Sequence, residues 1–128
     1  MSHSETPIAI NPEAVAEALP AIPSPELLLL VVETFRALAN PTRVRILYAL
    51  VRGPLCVRDL SILAGVSESA ISHQLRYLRL QQLVKPARDG NVIYYTLNDP
   101  HVAALFKEAE YHADHAYRGL DDHPYPLP

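Results

Sequence analysis

The chain is 128 residues long, 49% hydrophobic and 20% charged, with one cysteine and a formal net charge of −3 at pH 7. That length holds one domain with a modest core, and a lone cysteine forms no internal disulfide, which fits a reducing cytoplasm. The longest uninterrupted apolar run, Leu27 to Val32, is six residues and the opening MSHSETP lacks the basic and apolar regions of a secretory leader, so neither a membrane span nor export is expected.

Eight of the twelve prolines lie in residues 1–25 and 124–128, marking irregular arms around a compact middle. Three segments are expected: an N-terminal arm with a short helix (1–23), a sensor domain (24–118) and a disordered C-terminal tail (119–128). In the arm, Asn11-Pro12 caps a helix to about Leu19, and Ser24-Pro25 starts a second to about Leu38. The Leu27–Val32 stretch of that helix is apolar on every side, so it is expected to pack both on its own domain and on a partner. Asn40-Pro41 caps a third helix to about Val51, ended by Gly53-Pro54.

A helix from about Val57 to Ala64, the turn Gly65-Val66 and a Ser67-capped helix to about Gln82 form a helix-turn-helix. On the second of these, Ile71, Leu75 and Leu78 have buried spacing, while Ser69, Ser72, His73, Arg76 and Arg79 lie largely off that stripe, with Gln74 nearby. Hydroxyls, an amide, an imidazole and guanidinium groups are what a helix uses to bond base edges or phosphates in a major groove. Leu83 to Arg88 and Val92 to Leu97, joined by Asp89-Gly90-Asn91, then make a β-hairpin whose Pro86 strand is confined to the sheet edge. A hairpin directly after a helix-turn-helix is a wing, and Arg88 and Asn91 at its tip are placed to reach a phosphate or a minor groove. The charge distribution agrees. Residues 43–95 carry eight Lys/Arg against three acids, whereas residues 1–42 carry one against five and residues 96–128 two against six. A basic centre between acidic ends is the footprint of a DNA reader, despite the negative total.

Asp99-Pro100 opens the last helix, with Val102, Leu105, Phe106, Ala109, Ala113 and Ala116 on one apolar stripe. Beside it, His112 falls roughly 20° from His101 around the helix and His115 roughly 40° to the other side. The eleven residues between His101 and His112 span about 16 Å, against a ligand-to-ligand distance of about 4 Å around one metal ion. One helix therefore cannot close a site. Two copies packed antiparallel about a two-fold axis can, with Asp99 and His101 of one facing His112 and His115 of the other. Three imidazoles and a carboxylate are a tetrahedral set that suits zinc. Cys56 and Asp59, even with His3, make a poorer site, and Cys56 is expected to be a buried small hydrophobe.

The segments FRALANPTRVRIL, LCVRDL, GVSESAISHQLRYLR and GNVIYYTL, with the closing helix, resemble the ArsR/SmtB family of bacterial metal-sensing repressors, from about Leu27 to Arg118. The spacing from Asp99 through His101 and His112 to His115 resembles its zinc- and cobalt-responsive branch, whose paired sites lie on the C-terminal helices at the dimer interface. The resemblance implies a mainly α winged helix-turn-helix with a β-hairpin wing, dimerised through its N-terminal and C-terminal helices. It also implies a cytoplasmic homodimeric repressor that holds an inverted-repeat operator when metal-free and releases it on binding Zn(II), with no small organic ligand. His73 matches the DNA-facing helix. A histidine of the sensor site, here His112, would donate its second ring N–H to the backbone carbonyl of Gln82 at the end of the recognition helix. The alternatives are a Ni(II) or Co(II) sensor that draws on His3 and His123, and a DNA-binding regulator with no metal effector. A zinc hydrolase is disfavoured, because four protein ligands leave no open coordination position.

Overall fold

A computed structural model describes residues 6–118, so the expected tail at 119–128, His3 and His123 lie outside the described residues. The chain divides into two compact units, Met1–Phe35 and Arg36–Pro128. In the first, Pro12–Ala18 forms helix α1, capped by the Asn11 side chain, which accepts from the Ala14 N–H at 3.1 Å. A 3₁₀ turn, Leu19–Ala21, follows, and α2 runs Pro25–Leu38, its residues from Arg36 onward belonging to the second unit, with the Ser24 hydroxyl oxygen accepting from the Leu27 N–H. Every side chain from Leu27 to Val32 is exposed, Leu29 and Leu30 by about two-thirds. This is more apolar surface than a helix leaves in water without a partner.

The second unit is a winged helix-turn-helix. Helix α3 is Pro41–Leu50, strand β1 Leu55–Cys56, helix α4 Val57–Ala64, helix α5 Glu68–Leu80, strands β2 and β3 Val84–Asp89 and Val92–Leu97, and helix α6 Pro100–Arg118. Asn40 and Ser67 cap α3 and α5 as their sequence positions predict. Ile46, Leu47 and Leu50 of α3, Leu60 and Ala64 of α4, and Ile71, Leu75 and Leu78 of α5 fill one core, closed by Val84, Val102 and Phe106. At about 1.5–3 kcal/mol for each large side chain buried, that core carries the unit. Among the described residues no single helix is long and apolar enough to cross a membrane.

Three local features differ from expectation. The sheet has three strands in the order β1-β3-β2, because Leu55 and Cys56 pair antiparallel with Tyr95 and Tyr94. A two-residue strand has no periodicity to detect. Cys56 is in consequence half-buried rather than buried. Third, α5 stops at Leu80. Gln82 adopts a left-handed φ of 59°, the Leu83 N–H bonds the Leu78 carbonyl at 2.9 Å and the Gln82 N–H bonds the Arg79 carbonyl at 3.0 Å. This is a Schellman stop made without glycine, held by burial of Leu78 and Leu83. Gly65 closes α4 in the same left-handed region at φ 71°, where its lack of a Cβ removes the strain.

Leu75 is fully enclosed on the inner face of α5. Leu75→Ala is expected to lower unfolding stability by about 2–5 kcal/mol, measured as a lower urea midpoint with an unchanged slope.

Candidate metal centre and nucleic-acid interface

On α5 the alternation of buried and exposed positions places Ser69, Ser72, His73, Arg76 and Arg79 in solvent, opposite the core contacts of Ile71, Leu75 and Leu78. The helix is steadied at its start by Ser67, whose hydroxyl oxygen accepts from the Ala70 N–H at 3.0 Å, and by an exposed Arg58–Glu68 pair at 3.5 Å that ties α4 to α5. Gln74 differs from its neighbours. It is half-buried, and its Oε1 accepts from Nη1 of Arg43 at 3.3 Å. Arg88 and Asn91 are exposed at the wing tip, where Arg88 pairs across with Ile93 and Gly90 takes a φ of 64°. Free donors on one helix and one hairpin can meet phosphates and base edges of a duplex.

Asp99, immediately before α6, and His101, His112 and His115 on it are all exposed. Asp99 Oδ1 accepts from the His101 N–H at 2.8 Å, so this carboxylate is tied to the helix start it shares with His101. Among the described residues no three His, Cys, Asp or Glu side chains of one chain come together around a common point. The two ends of α6 hold the four groups apart, each end carrying two. The donor chemistry, nitrogen and oxygen only, fits a borderline ion such as zinc. The apolar stripe of α6 is buried only at Val102 and Phe106; Leu105, Ala109, Ala113 and Ala116 are exposed. The second half of α6 thus carries an uncovered small-residue face next to His112 and His115. No hydrogen bond joins His112 to Gln82 among the described residues, and Gln82 lies exposed at the end of α5.

Two contacts were not legible beforehand. Arg43, counted with the basic centre in the sequence, is half-buried and bonds the Ala37 carbonyl at 2.7 Å, the Arg36 carbonyl at 3.1 Å and Gln74. At the other end of α3, the Tyr48 ring stacks on Phe106 of α6 at 5.1 Å and its hydroxyl donates to Glu110 Oε1 at 3.0 Å. Burial, then the hydrogen bond to Glu110 and the repulsion of its charge, raise the Tyr48 hydroxyl above its ordinary value of 10.0. No sequence signal pairs a tyrosine with a glutamate sixty-two positions away.

Residues 40–85, which span α3 to the start of β2, match the bacterial regulatory protein, arsR family. The chain is 44% identical over 117 residues to a transcriptional repressor SmtB homolog of Synechocystis sp., covering 88% of this chain and 86% of that one. In structure it is similar to the homodimeric winged helix-turn-helix DNA-binding domain of a possible ArsR-family transcriptional regulator from Mycobacterium bovis. There the TM-score is 0.70 at 31% identity, over 77% of this chain and 91% of that one. It is similar too to the AntR antimony-specific transcriptional repressor, with a TM-score of 0.68 at 32% identity over 88% of this chain and 99% of that one.

The Tyr48 contact makes a pH prediction. The folded state holds this proton more tightly than the unfolded chain, so its stabilisation is complete below pH 10 and is lost as pH rises beyond it. Thermal melts at pH 8 and above pH 10 are expected to show a smaller alkaline loss for Tyr48→Phe than for the parent chain.

Proposed function

The chain belongs to the ArsR/SmtB family of bacterial transcriptional regulators and is not an enzyme, and from that premise we propose that it is a homodimeric repressor released from its operator by zinc. The observation that carries this reading is the division of four ligand-type side chains between the two ends of one helix. Asp99 and His101 supply half of a tetrahedral set and His112 and His115 the other half, so two antiparallel copies of α6 would complete two equivalent sites. The uncovered face of Ala109, Ala113 and Ala116 supports the same packing, because small side chains let two helices approach closely. The exposed run from Leu27 to Val32 supports a second copy as the partner that covers α2. Residues 24–118 are taken as the sensor domain.

Ser69, Ser72, His73 and Arg76 of α5 would enter a major groove, with Arg88 and Asn91 of the wing on the flanking backbone. In a two-fold dimer the paired helices meet an inverted repeat when they stand about 34 Å apart. Ligation at the α6 ends fixes the distance between the two copies, so metal and operator compete through dimer geometry, each weakening the other by the same factor. On this reading His112 would act on α5 as well as on the ion. Its ring nitrogen left over from ligation is a donor, and the Gln82 carbonyl belongs to the left-handed residue that closes the recognition helix. The nickel or cobalt alternative draws on His3 and His123, which lie outside the described residues.

His101→Gln and His112→Gln are each expected to abolish zinc-induced release, while metal-free operator affinity stays within about twofold, as read by fluorescence anisotropy. Loss of metal-free binding in either variant would contradict the reading, because neither side chain lies on α5 or the wing. Methylation of His112 on its non-ligating nitrogen is expected to preserve zinc uptake and prevent release.

A further inference from the structure

Arg43 stands in the first turn of α3, where the helix dipole disfavours a cation, so its position there calls for compensating partners. It has four. Its Nε and Nη2 donate to the carbonyls of Ala37 and Arg36 at 2.7 and 3.1 Å, two of the last carbonyls of α2, the second of which also accepts the Ala39 N–H at 3.2 Å. Its Nη1 donates to Gln74 Oε1, and its guanidinium carbon lies 4.5 Å from the centre of the Tyr77 ring. Gln74 and Tyr77 are three residues apart, one turn on a single face of α5. A planar group gripped at two points one turn apart resists both rotation and sliding of that helix.

From this geometry we infer that Arg43 is a positioning residue for operator recognition, and that Gln74 is its partner rather than a reader of bases. The inference rests on the repressor reading above. His73 and Arg76 each immediately precede one of the two gripped residues, so the grip sets the angle at which their side chains leave the helix. A rotation of α5 by a fraction of the 100° between successive residues would carry both off their target atoms. Lysine in this place keeps the charge but has neither the fork that spans Gln74 and two carbonyls nor the flat face that stacks on Tyr77. Gln74→Leu keeps the bonds from Arg43 to α2 and its stacking on Tyr77 and removes only the hydrogen bond to α5.

The test compares the full-length parent, Arg43→Lys, Gln74→Leu and the double variant. Each is titrated with operator and with a scrambled duplex of equal length and salt, and amide hydrogen exchange is followed without DNA. Arg43→Lys is expected to weaken operator binding about tenfold and leave scrambled binding within about twofold, since non-specific affinity follows charge. The double variant is expected to be no weaker than Arg43→Lys alone, because both changes cut the same link. Exchange is expected to quicken in α5 for both single variants. Parallel loss on both duplexes, or unchanged operator binding, would overturn the inference. So would a Gln74→Leu variant that loses preference at one base pair only, since that marks a base reader. If Arg43→Lys does not fold, Gln74→Leu alone carries the same outcomes. Should the parent bind no duplex, the repressor reading fails, and unchanged α5 exchange in Gln74→Leu would separately overturn the positioning role.

Discussion

Two pairs of ligand-type side chains stand about 16 Å apart on one continuous helix, and a single metal ion spans about a quarter of that distance. Everything proposed for the sensor follows from this mismatch. A flexible loop could fold the two pairs together, but α6 is unbroken from Pro100 to Arg118 and its first half is held to the core by Val102 and Phe106. On the proposed reading the chain presents half-sites, and another copy of the same helix, reversed, would bring the complementary half. Symmetry would then make two sites at once and give the ion a purchase on the distance between subunits.

That purchase matters because the DNA-reading helix is firmly built into its own domain. Helix α5 is packed through Ile71, Leu75 and Leu78, capped by Ser67 and closed by the stop at Gln82. Helix α3 runs beside it with a polar grip at each end: Arg43 on α5 and the end of α2, Tyr48 on Phe106 and Glu110 of α6. In the proposed dimer the soft coordinate would be the relation between the two copies, so that small shifts at the α6 ends would reach the recognition helices.

Most of this fold is written locally. Asn11, Asn40 and Ser67 announce helix starts because a cap bonds within three residues, and the hairpin is legible because Asp89-Gly90-Asn91 is a turn leading into the β-branched and aromatic run Val92–Leu97. The features that escaped are those set by distant partners. Strand β1 exists only because Tyr94 and Tyr95 offer it an edge, and α5 stops at Leu80 through the left-handed Gln82 and the burial of Leu83 rather than through a glycine. Exposure of Ser69, Ser72, His73 and Arg76 follows from helical period, whereas the inward bond of Gln74 depends on an arginine thirty-one positions earlier. The metal-type residues were legible as a pattern on one helix. Their proposed assembly rests on geometry between two.

The central claim is that each site takes its two halves from different subunits, and mixing variants tests it directly. One chain carries Asp99→Ala with His101→Gln, the other His112→Gln with His115→Gln, and each alone retains only one half of every site. In the mixed dimer one site is rebuilt complete and the other loses all four groups. Zinc titration of the re-equilibrated mixture is predicted to find one tightly bound ion per mixed dimer and none on either variant alone. Tight zinc binding by a single variant, or none by the mixture, would contradict the account.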